Sequence, residues 1–350
     1  MPPLTLEDVA KVAGVSVSTA SRVLSGTANV RPAKRDAVMR AAEQLGYRPN
    51  AIARGLASGR SMLIGVLTQD IASPFYGETL RGVEDGLEGS GYSGIFASGH
   101  WRVESEASAI HSLTGRSVDG LIVLGGHTPD ARLREINTHL PVVAVGRQVK
   151  GLEDRCLRID NVRGGYDCAR HLLELGHRRI AYVAGPRDHR DARDRLEGHR
   201  RALREWGIED DPALTLEGDF HEPAGLLAVE ALLARGAVFS AVIVANDQMA
   251  YGVRLGLYRR GIRVPDDVSL VGFDDLAGSA FTTPPLTTVR QPTYEMGMAA
   301  AEALLAILNG ASPALPLFEA QLLIRESTAP ARSARPGLPA RPELRPGERS

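Results

Sequence analysis

The 350-residue sequence predicts two folds in series, a small all-α module at the N-terminus and a larger α/β body of two lobes. Three observations predict them. Short helical patterns fill residues 1–60 without a strand-like run. From Ser61 onward, apolar runs of strand length alternate with helical stretches. The charge is also divided unevenly: residues 1–60 carry nine Lys or Arg against four acids, a net +5, and the remainder 32 against 38, a net −6. A basic module on an acidic body points to a polyanion at one end.

The composition, 43% hydrophobic and 24% charged, is that of a globular protein with sizeable cores. Cys156 and Cys168 have no His partners at zinc-ligand spacing, so neither a disulfide framework nor a structural metal is expected, and a reducing compartment fits. The start MPPLTLEDVAK has no apolar signal core, and no run of eighteen apolar residues follows. A cytoplasmic protein without membrane spans or cofactor is expected.

In the N-terminal module, Thr5 with Asp8 at the third position opens a helix over Leu6–Val12. Ala13-Gly14-Val15 forms a tight break, and Ser16 caps a second helix to about Leu24. Pro32 starts a third helix over Ala33–Leu45, which Gly46 ends. Helix, three-residue turn, helix, loop, helix is the order of a helix-turn-helix unit. The second helix presents Val17, Ser18, Ser21 and Arg22. Arg pairs bidentately with guanine, Ser with a base edge or phosphate, and Val with a thymine methyl, while Ser16 at the helix N-terminus suits a phosphate. The same pattern also fits a small amphipathic bundle with a solvated polar face.

Pro49 breaks the third helix at Arg48, and Asn50 is placed to cap a short segment, Ala51–Ala57. With Gly55, Gly59 and two turns at most, that segment is marginal alone in water; by itself it reads equally as a flexible linker.

In the body, strands are expected at Leu63–Leu67, Ser93–Ala97, Gly120–Leu124 and Val142–Val145, then at Ile180–Ala184, Ala241–Val244 and Ser269–Gly272. Two such series give two parallel-sheet lobes with a cleft at the strand C-terminal ends. Crossings between lobes are expected near Asp160-Asn161 and at Leu286-Thr287-Thr288-Val289, with helix 293–309 returning to the first lobe. No P-loop, GxGxxG after the first strand, GxSxG or HExxH occurs, so an enzyme is not expected. His171 and His177 read as flanking the Leu175-Gly176 turn, and the mixed charges over Arg187–Arg201 as solvated surface.

The run TLEDVAKVAGVSVSTASRVLSG, followed by AAEQLGYRPNAIARGLASGRSMLIGVL, resembles the lactose-repressor (LacI-type) family. The resemblance extends over about residues 4–328, through Ser73-Pro74-Phe75-Tyr76, Gly272-Phe273-Asp274-Asp275 and Pro285-Leu286-Thr287-Thr288-Val289. Ser25 stands where the family often has Asn, and Arg31 where it has a polar cap. The resemblance implies a periplasmic-binding-protein-like body of two Rossmann-like lobes and a ligand-controlled repressor of double-stranded, palindromic operator DNA. It implies DNA contacts at Thr5, Ser16, Val17, Ser18, Ser21, Arg22, Asn50, Arg54 and Leu56, the last wedged into the minor groove from a hinge helix. Its effector positions carry over to Phe75 or Tyr76, Arg195, Phe220, Asn246 and Asp274. Either aromatic ring at 75 or 220 is also compatible with plain core. Arg147, Asp191 and the run Arg187-Asp188-His189-Arg190 are further expected to line the cleft, where family members differ.

The implied organisation is a DNA-binding domain over 1–48, a hinge over 49–60, an effector-binding and dimerisation body over 61–329, and a disordered tail over 330–350. A homodimer is expected because that tail, rich in Pro, Arg and Gly, has no leucine heptads. The effector is expected to be a small molecule, a sugar or sugar derivative before a nucleobase or other metabolite. A sugar-binding transport protein retaining the same fold is the competing reading.

Overall fold

The structure is a computed structural model in which residues 4–25, 30–47 and 59–332 are described. The hinge residues Asn50, Arg54 and Leu56, and the tail from Ser333, lie outside the described residues.

Three helices form the N-terminal module: α1 (Leu6–Ala13), α2 (Val17–Ser25) and α3 (Pro32–Leu45). Each start has a chemical cause. Thr5 and Asp8 form a reciprocal capping box, with the Asp8 carboxylate accepting from the Thr5 N–H at 2.9 Å and the Asp8 N–H donating to the Thr5 hydroxyl at 3.4 Å. Gly14 ends α1 in the left-handed region, φ 66°, which a side chain would strain. The Ser16 hydroxyl accepts from the Thr19 N–H at 3.2 Å. Arg31 at the N-cap of α3 makes no side-chain cap, and Pro32 takes the first helical position. Val9, Ala10, Ala20, Val38, Ala41 and Ala42 make the buried core.

The first lobe contains β1 (Leu63–Thr68), α4 (Pro74–Leu87), β2 (Ser93–Ser98), α5 (Val103–Thr114), β3 (Gly120–Leu124), α6 (Asp130–Asn137), β4 (Val142–Val145) and β5 (Cys156–Leu157). Its sheet runs β2-β1-β3-β4-β5, all parallel. The second lobe holds α7 (Asn161–Glu174), β6 (Ile180–Ala184), α8 (Arg190–Glu205), β7 (Thr215–Glu217), α9 (Glu222–Ala234), β8 (Ala241–Val244), α10 (Asp247–Arg259), β9 (Ser269–Asp274) and β10 (Thr287–Arg290). Helix α11 (Thr293–Leu308) returns to the first lobe, and β11 (Gln321–Leu323) closes the second sheet in the order β11-β10-β9-β8-β6-β7. Only β11 pairs antiparallel. Central strands are apolar on both faces, as parallel sheets covered by helices require: β3, β4, β6 and β8 are wholly buried.

Two expectations are corrected. Residues Leu286–Val289 do not cross between lobes; Thr287–Arg290 is a strand of the second sheet, and the crossing follows at Gln291-Pro292. Thr287 and Thr288 are buried there, the Thr287 hydroxyl accepting from the Arg325 N–H at 2.9 Å and the Thr288 hydroxyl donating to Asp247 at 2.6 Å. The tail does not begin at 330. The Ala331 N–H donates to the Leu175 carbonyl at 2.8 Å, Ala331 is buried, and Arg332 pairs with Asp267. His171 and His177 flank the Leu175-Gly176 turn as read, and also secure this C-terminal segment through Thr328 and the Ala329 carbonyl. At the other end of the body, Arg60 reaches the Leu308 carbonyl at 2.7 Å, the last turn of α11.

Three helix pairs, α7 with α8, α9 with α10 and α4 with α11, approach so closely that glycine is required at each contact. A Cβ on Gly165 would overlap the Arg195 carbonyl, and one on Gly198 the Val162 carbonyl. Gly225 and Gly252 repeat this reciprocal contact between α9 and α10, and Gly82 and Gly297 between α4 and α11. Gly198→Ala is therefore expected to cost the body about 2 kcal/mol or more and to lower Tm by roughly 5 °C or more in a thermal melt; an unchanged melt contradicts this packing.

Candidate functional site

A cavity of about 510 Å³ opens between the lobes at the C-terminal ends of the strands, within the range of small-molecule sites. All eight residues expected at the effector site, Phe75, Tyr76, Arg147, Asp191, Arg195, Phe220, Asn246 and Asp274, lie on its wall. Of the run 187–190, Asp188, His189 and Arg190 join them, whereas Arg187 turns out to Glu217 at 2.8 Å. The mixed-charge stretch is thus not all solvated surface, since Arg195 is only 4% exposed.

Each lobe builds its wall from buried polar supports. In the first, Gln69 donates to the Leu124 carbonyl and accepts from the Trp101 N–H at 3.0 Å. The buried Glu106 carboxylate accepts from the N–H groups of His127 and Thr128. Trp101 and His127 are thereby held over the cleft, with ring centroids 5.4 Å apart. In the second, the Asn246 amide donates to the Phe220 carbonyl at 2.9 Å and accepts from the Met249 N–H at 3.0 Å. Among the described residues, seven non-glycine residues have left-handed φ, and four of them, His100, Trp101, Phe220 and Asp274, line this cavity. Such strain persists where the surroundings over-determine the backbone, and it concentrates at ligand sites.

The charges are mostly spent inside the protein. Arg147 bonds the Gly126 and Thr128 carbonyls and Asp130 at 2.7 Å. Arg195 donates to Asn161 at 2.9 Å and to the Ala245 carbonyl at 2.6 Å, faces Asp274 at 3.5 Å and stacks on Phe273. Asp274 accepts from Gln291 at 2.6 Å; burial raises its carboxyl above the ordinary range, with Arg195 opposing. Among the described residues, two of the eight offer polar atoms without a hydrogen bond to the protein, the Asp191 carboxylate and the Tyr76 hydroxyl. His189, stacked on Trp101 at 4.4 Å, has a buried Nδ1 likewise unpartnered. Burial first, then Arg195 and His127, lower its pKa to about 3, so the imidazole is neutral. Among the described residues, three contacts join the lobes across the opening: Trp101 with His189, His127 with Asp188 at 4.0 Å, and Ser73 with Gln248 at 3.3 Å.

On the N-terminal module, Ser16, Val17, Ser18, Ser21 and Arg22 form one exposed face of α2, while Ala20 turns into the core. Arg22 is steadied by the Ser18 carbonyl at 3.2 Å. Thr5 is exposed at the start of α1, its hydroxyl donating to Asp8 at 2.7 Å.

The profile of bacterial regulatory proteins of the lacI family matches residues 5–50, and that of the periplasmic binding protein-like domain matches 169–328. Catabolite control protein A of Priestia megaterium is 35% identical over 87% of this chain and 93% of its own length. The HTH-type transcriptional regulator GalR of Escherichia coli (strain K12) is 38% identical over 87% of this chain and 89% of its own. The chain belongs to the LacI family. This LacI-family chain is a DNA-binding transcriptional regulator. Among solved structures, the lac repressor dimer bound to operator and the anti-inducer ONPF matches with a TM-score of 0.83 at 32% identity, covering 93% of this chain and 99% of that one. The complex of transcriptional regulator CelR with cellobiose matches with a TM-score of 0.68 at 36% identity and the same coverage.

Sequence reasoning missed Gln69, Trp101, His127 and Gln291, which all lie just beyond strands. The available signal was Trp101 itself, one of two tryptophans, directly after a strand.

Asp191 supplies a pH test. Burial first, then Asp194, push its pKa up from 3.8 to about 6, against Arg195 and Arg190. The folded state therefore holds a proton that the unfolded chain releases, and stability falls as pH rises from about 4 to about 6. Asp191→Asn removes that group, so the variant is expected to melt above the wild type at pH 8, with the gap closing near pH 4. Equal melts at both pH values contradict an unpaired, desolvated carboxylate.

Proposed function

We propose that this LacI-family chain is a cytoplasmic, homodimeric repressor of a palindromic operator, switched by a small sugar-type effector in the interlobe cavity. The observation that carries the effector half is the cavity wall, where aromatic rings and hydrogen-bonding groups from both lobes meet at the strand ends. Aromatic faces cover the apolar side of a sugar ring while polar groups take fixed hydroxyls. The cellobiose complex of CelR supports the same class.

For the DNA half, the exposed face of α2 has the chemistry of major-groove readout, and the adjoining hinge carries Leu56 as the minor-groove wedge. A dimer is supported by an exposed apolar strip on the second lobe. Leu255 and Tyr258 lie three apart on α10, and Phe281 is 87% exposed in the loop packed beside that helix through Tyr251 and Ser279. Two-fold pairing suits two half-sites, and the lac repressor match is itself a dimer on operator. Among the described residues no helix is long and apolar enough to cross a membrane.

Helix α11 offers a route between the two functions. Its first turn, with Thr293 and Met296, lines the cavity, and its last turn holds Arg60, where the chain leaves for the hinge. An effector that favours one lobe arrangement shifts the spacing of the two hinges only by its differential affinity.

Mobility shift with DNA upstream of the coding sequence tests the regulator. Salt-sensitive, sequence-specific binding is expected, and Arg22→Ala weakens it about tenfold or more while relaxing base preference. Leu56→Ala is expected to weaken specific binding and spare effector affinity. No specific binding under any ligand condition sinks the proposal. Arg60→Ala is expected to leave effector affinity intact in calorimetry and to blunt the effector's influence on operator affinity; an undiminished response excludes the α11 route.

A further inference from the structure

The cavity is more specific than its aromatic lining alone conveys, because its charges do not cancel. Resting on the effector reading above, we infer that the site takes a polyhydroxylated molecule without phosphate or carboxylate, and that Asp191 is the acceptor that sets this preference. The two cations deep in the wall are already matched. Arg147 has Asp130 at 2.7 Å and two carbonyls, and Arg195 has Asp274 at 3.5 Å, Asn161 and a third carbonyl. Asp191, in the first turn of α8, has no hydrogen bond or ion pair within 4 Å to the described residues. Arg195 lies one turn further along the same helix, but its Nε and Nη1 point to other partners. The remaining lining arginines, Arg158 and Arg190, are exposed at the rim, and Arg190 already has Asp194 at 3.6 Å.

An anionic ligand entering this cavity meets a carboxylate that receives no hydrogen bond from the protein, while the guanidinium groups of Arg147 and Arg195 each already face an anion. A hydroxyl both donates and accepts. Neighbouring hydroxyls on one ring therefore donate to the Asp191 carboxylate and accept elsewhere on the wall. His189, the residue two before Asp191, is held neutral between Trp101 and Phe220, so it adds a donor and an acceptor without adding positive charge. An unpaired carboxylate costs stability in the empty protein, and ligand hydroxyls supply the partners it lacks.

The test is calorimetric titration of the full chain with neutral mono- and disaccharides, each beside its 6-phosphate and its uronate. A neutral sugar is expected to bind, its charged counterparts at least tenfold more weakly, and Asp191→Ala is expected to lose about tenfold or more of the neutral sugar's affinity. Tighter binding of a phosphate or uronate than of its parent overturns the inference and leaves the effector site standing, as does neutral-sugar affinity unchanged by Asp191→Ala. Asp191→Asn, expected to melt above the wild type at pH 8 while also losing neutral-sugar affinity, separates lost affinity from lost folding. A wild type that retains its operator in mobility shift but binds no member of the series overturns the sugar-effector reading together with this inference.

Discussion

A guanidinium withdrawn from water must be paired and hydrogen-bonded, or it costs several kcal/mol, and the second lobe is arranged around one. Arg195 draws α7 in through Asn161, the end of β8 through the Ala245 carbonyl and the end of β9 through Asp274, and its plane lies 3.8 Å over the Phe273 ring. Three elements converge on one side chain of a fourth. Their spacing is set by backbone, since Gly165 of α7 lies directly against the carbonyl of Arg195 itself. The floor of the cleft is built on these contacts, and among the described residues Asp191, one turn earlier on α8, receives no hydrogen bond.

The walls above this floor are fixed separately in each lobe. Gln69 and Glu106 hold the Trp101 and His127 loops in the first lobe, and Asn246 holds Phe220 in the second. The left-handed backbone at Trp101 and Phe220 is maintained by these bonds to the main chain. What is weakly determined is the relation between the lobes. The contacts spanning the opening are side-chain contacts, one of them a 4.0 Å approach of His127 to Asp188 at a largely exposed carboxylate, which contributes little in water. A ligand bonding both walls therefore competes with few interactions when it selects a lobe angle, whereas distorting either wall would break buried bonds.

The parts of the fold that were legible in the sequence are those with a repeating physical signal. Buried parallel strands such as Gly120–Leu124 and Ala241–Val244 read as uninterrupted apolar runs, and their observed limits coincide with the expected ones. Strands β5 and β7, with two and three residues, are too short to show a period. Strand β10 was misread because Thr287 and Thr288 look like loop residues; they are tolerated in a core through hydroxyl partners at Arg325 and Asp247, which are distant in sequence. The site divides in the same way. Side chains in recognisable motifs were assigned to the cleft wall, but their present bonding was not legible: Arg147 and Asn246 have their polar groups spent on neighbouring loops. Trp101 and His127 were missed because loop residues after strands carry no period, and their supports, Gln69 and Glu106, lie on other elements.

In the N-terminal module the balance differs, because there is so little to bury. Among the described residues its fully buried side chains are Val and Ala, with Leu6, Leu24, Leu45 and Tyr47 half-buried around them; the module is near the ~40-residue size at which a chain folds only marginally by itself, so helix caps worth about 0.5–2 kcal/mol each matter more than in the body. Thr5 and Ser16, both expected to contact DNA, are also those caps, and a phosphate contact is compatible with the cap for one of them. The Thr5 hydroxyl gives its proton to Asp8 at 2.7 Å, beside a carboxylate that would repel a phosphate. The Ser16 oxygen accepts from the Thr19 N–H, and among the described residues its hydroxyl also meets Thr19 Oγ1 at 2.9 Å, in which either atom donates. Ser16 can therefore keep its cap and turn its proton to a phosphate at the N-terminus of α2, where the helix dipole favours the anion. Thr5 would first have to surrender the bond that starts α1, so Ser16 fits the phosphate contact and Thr5 fits the cap.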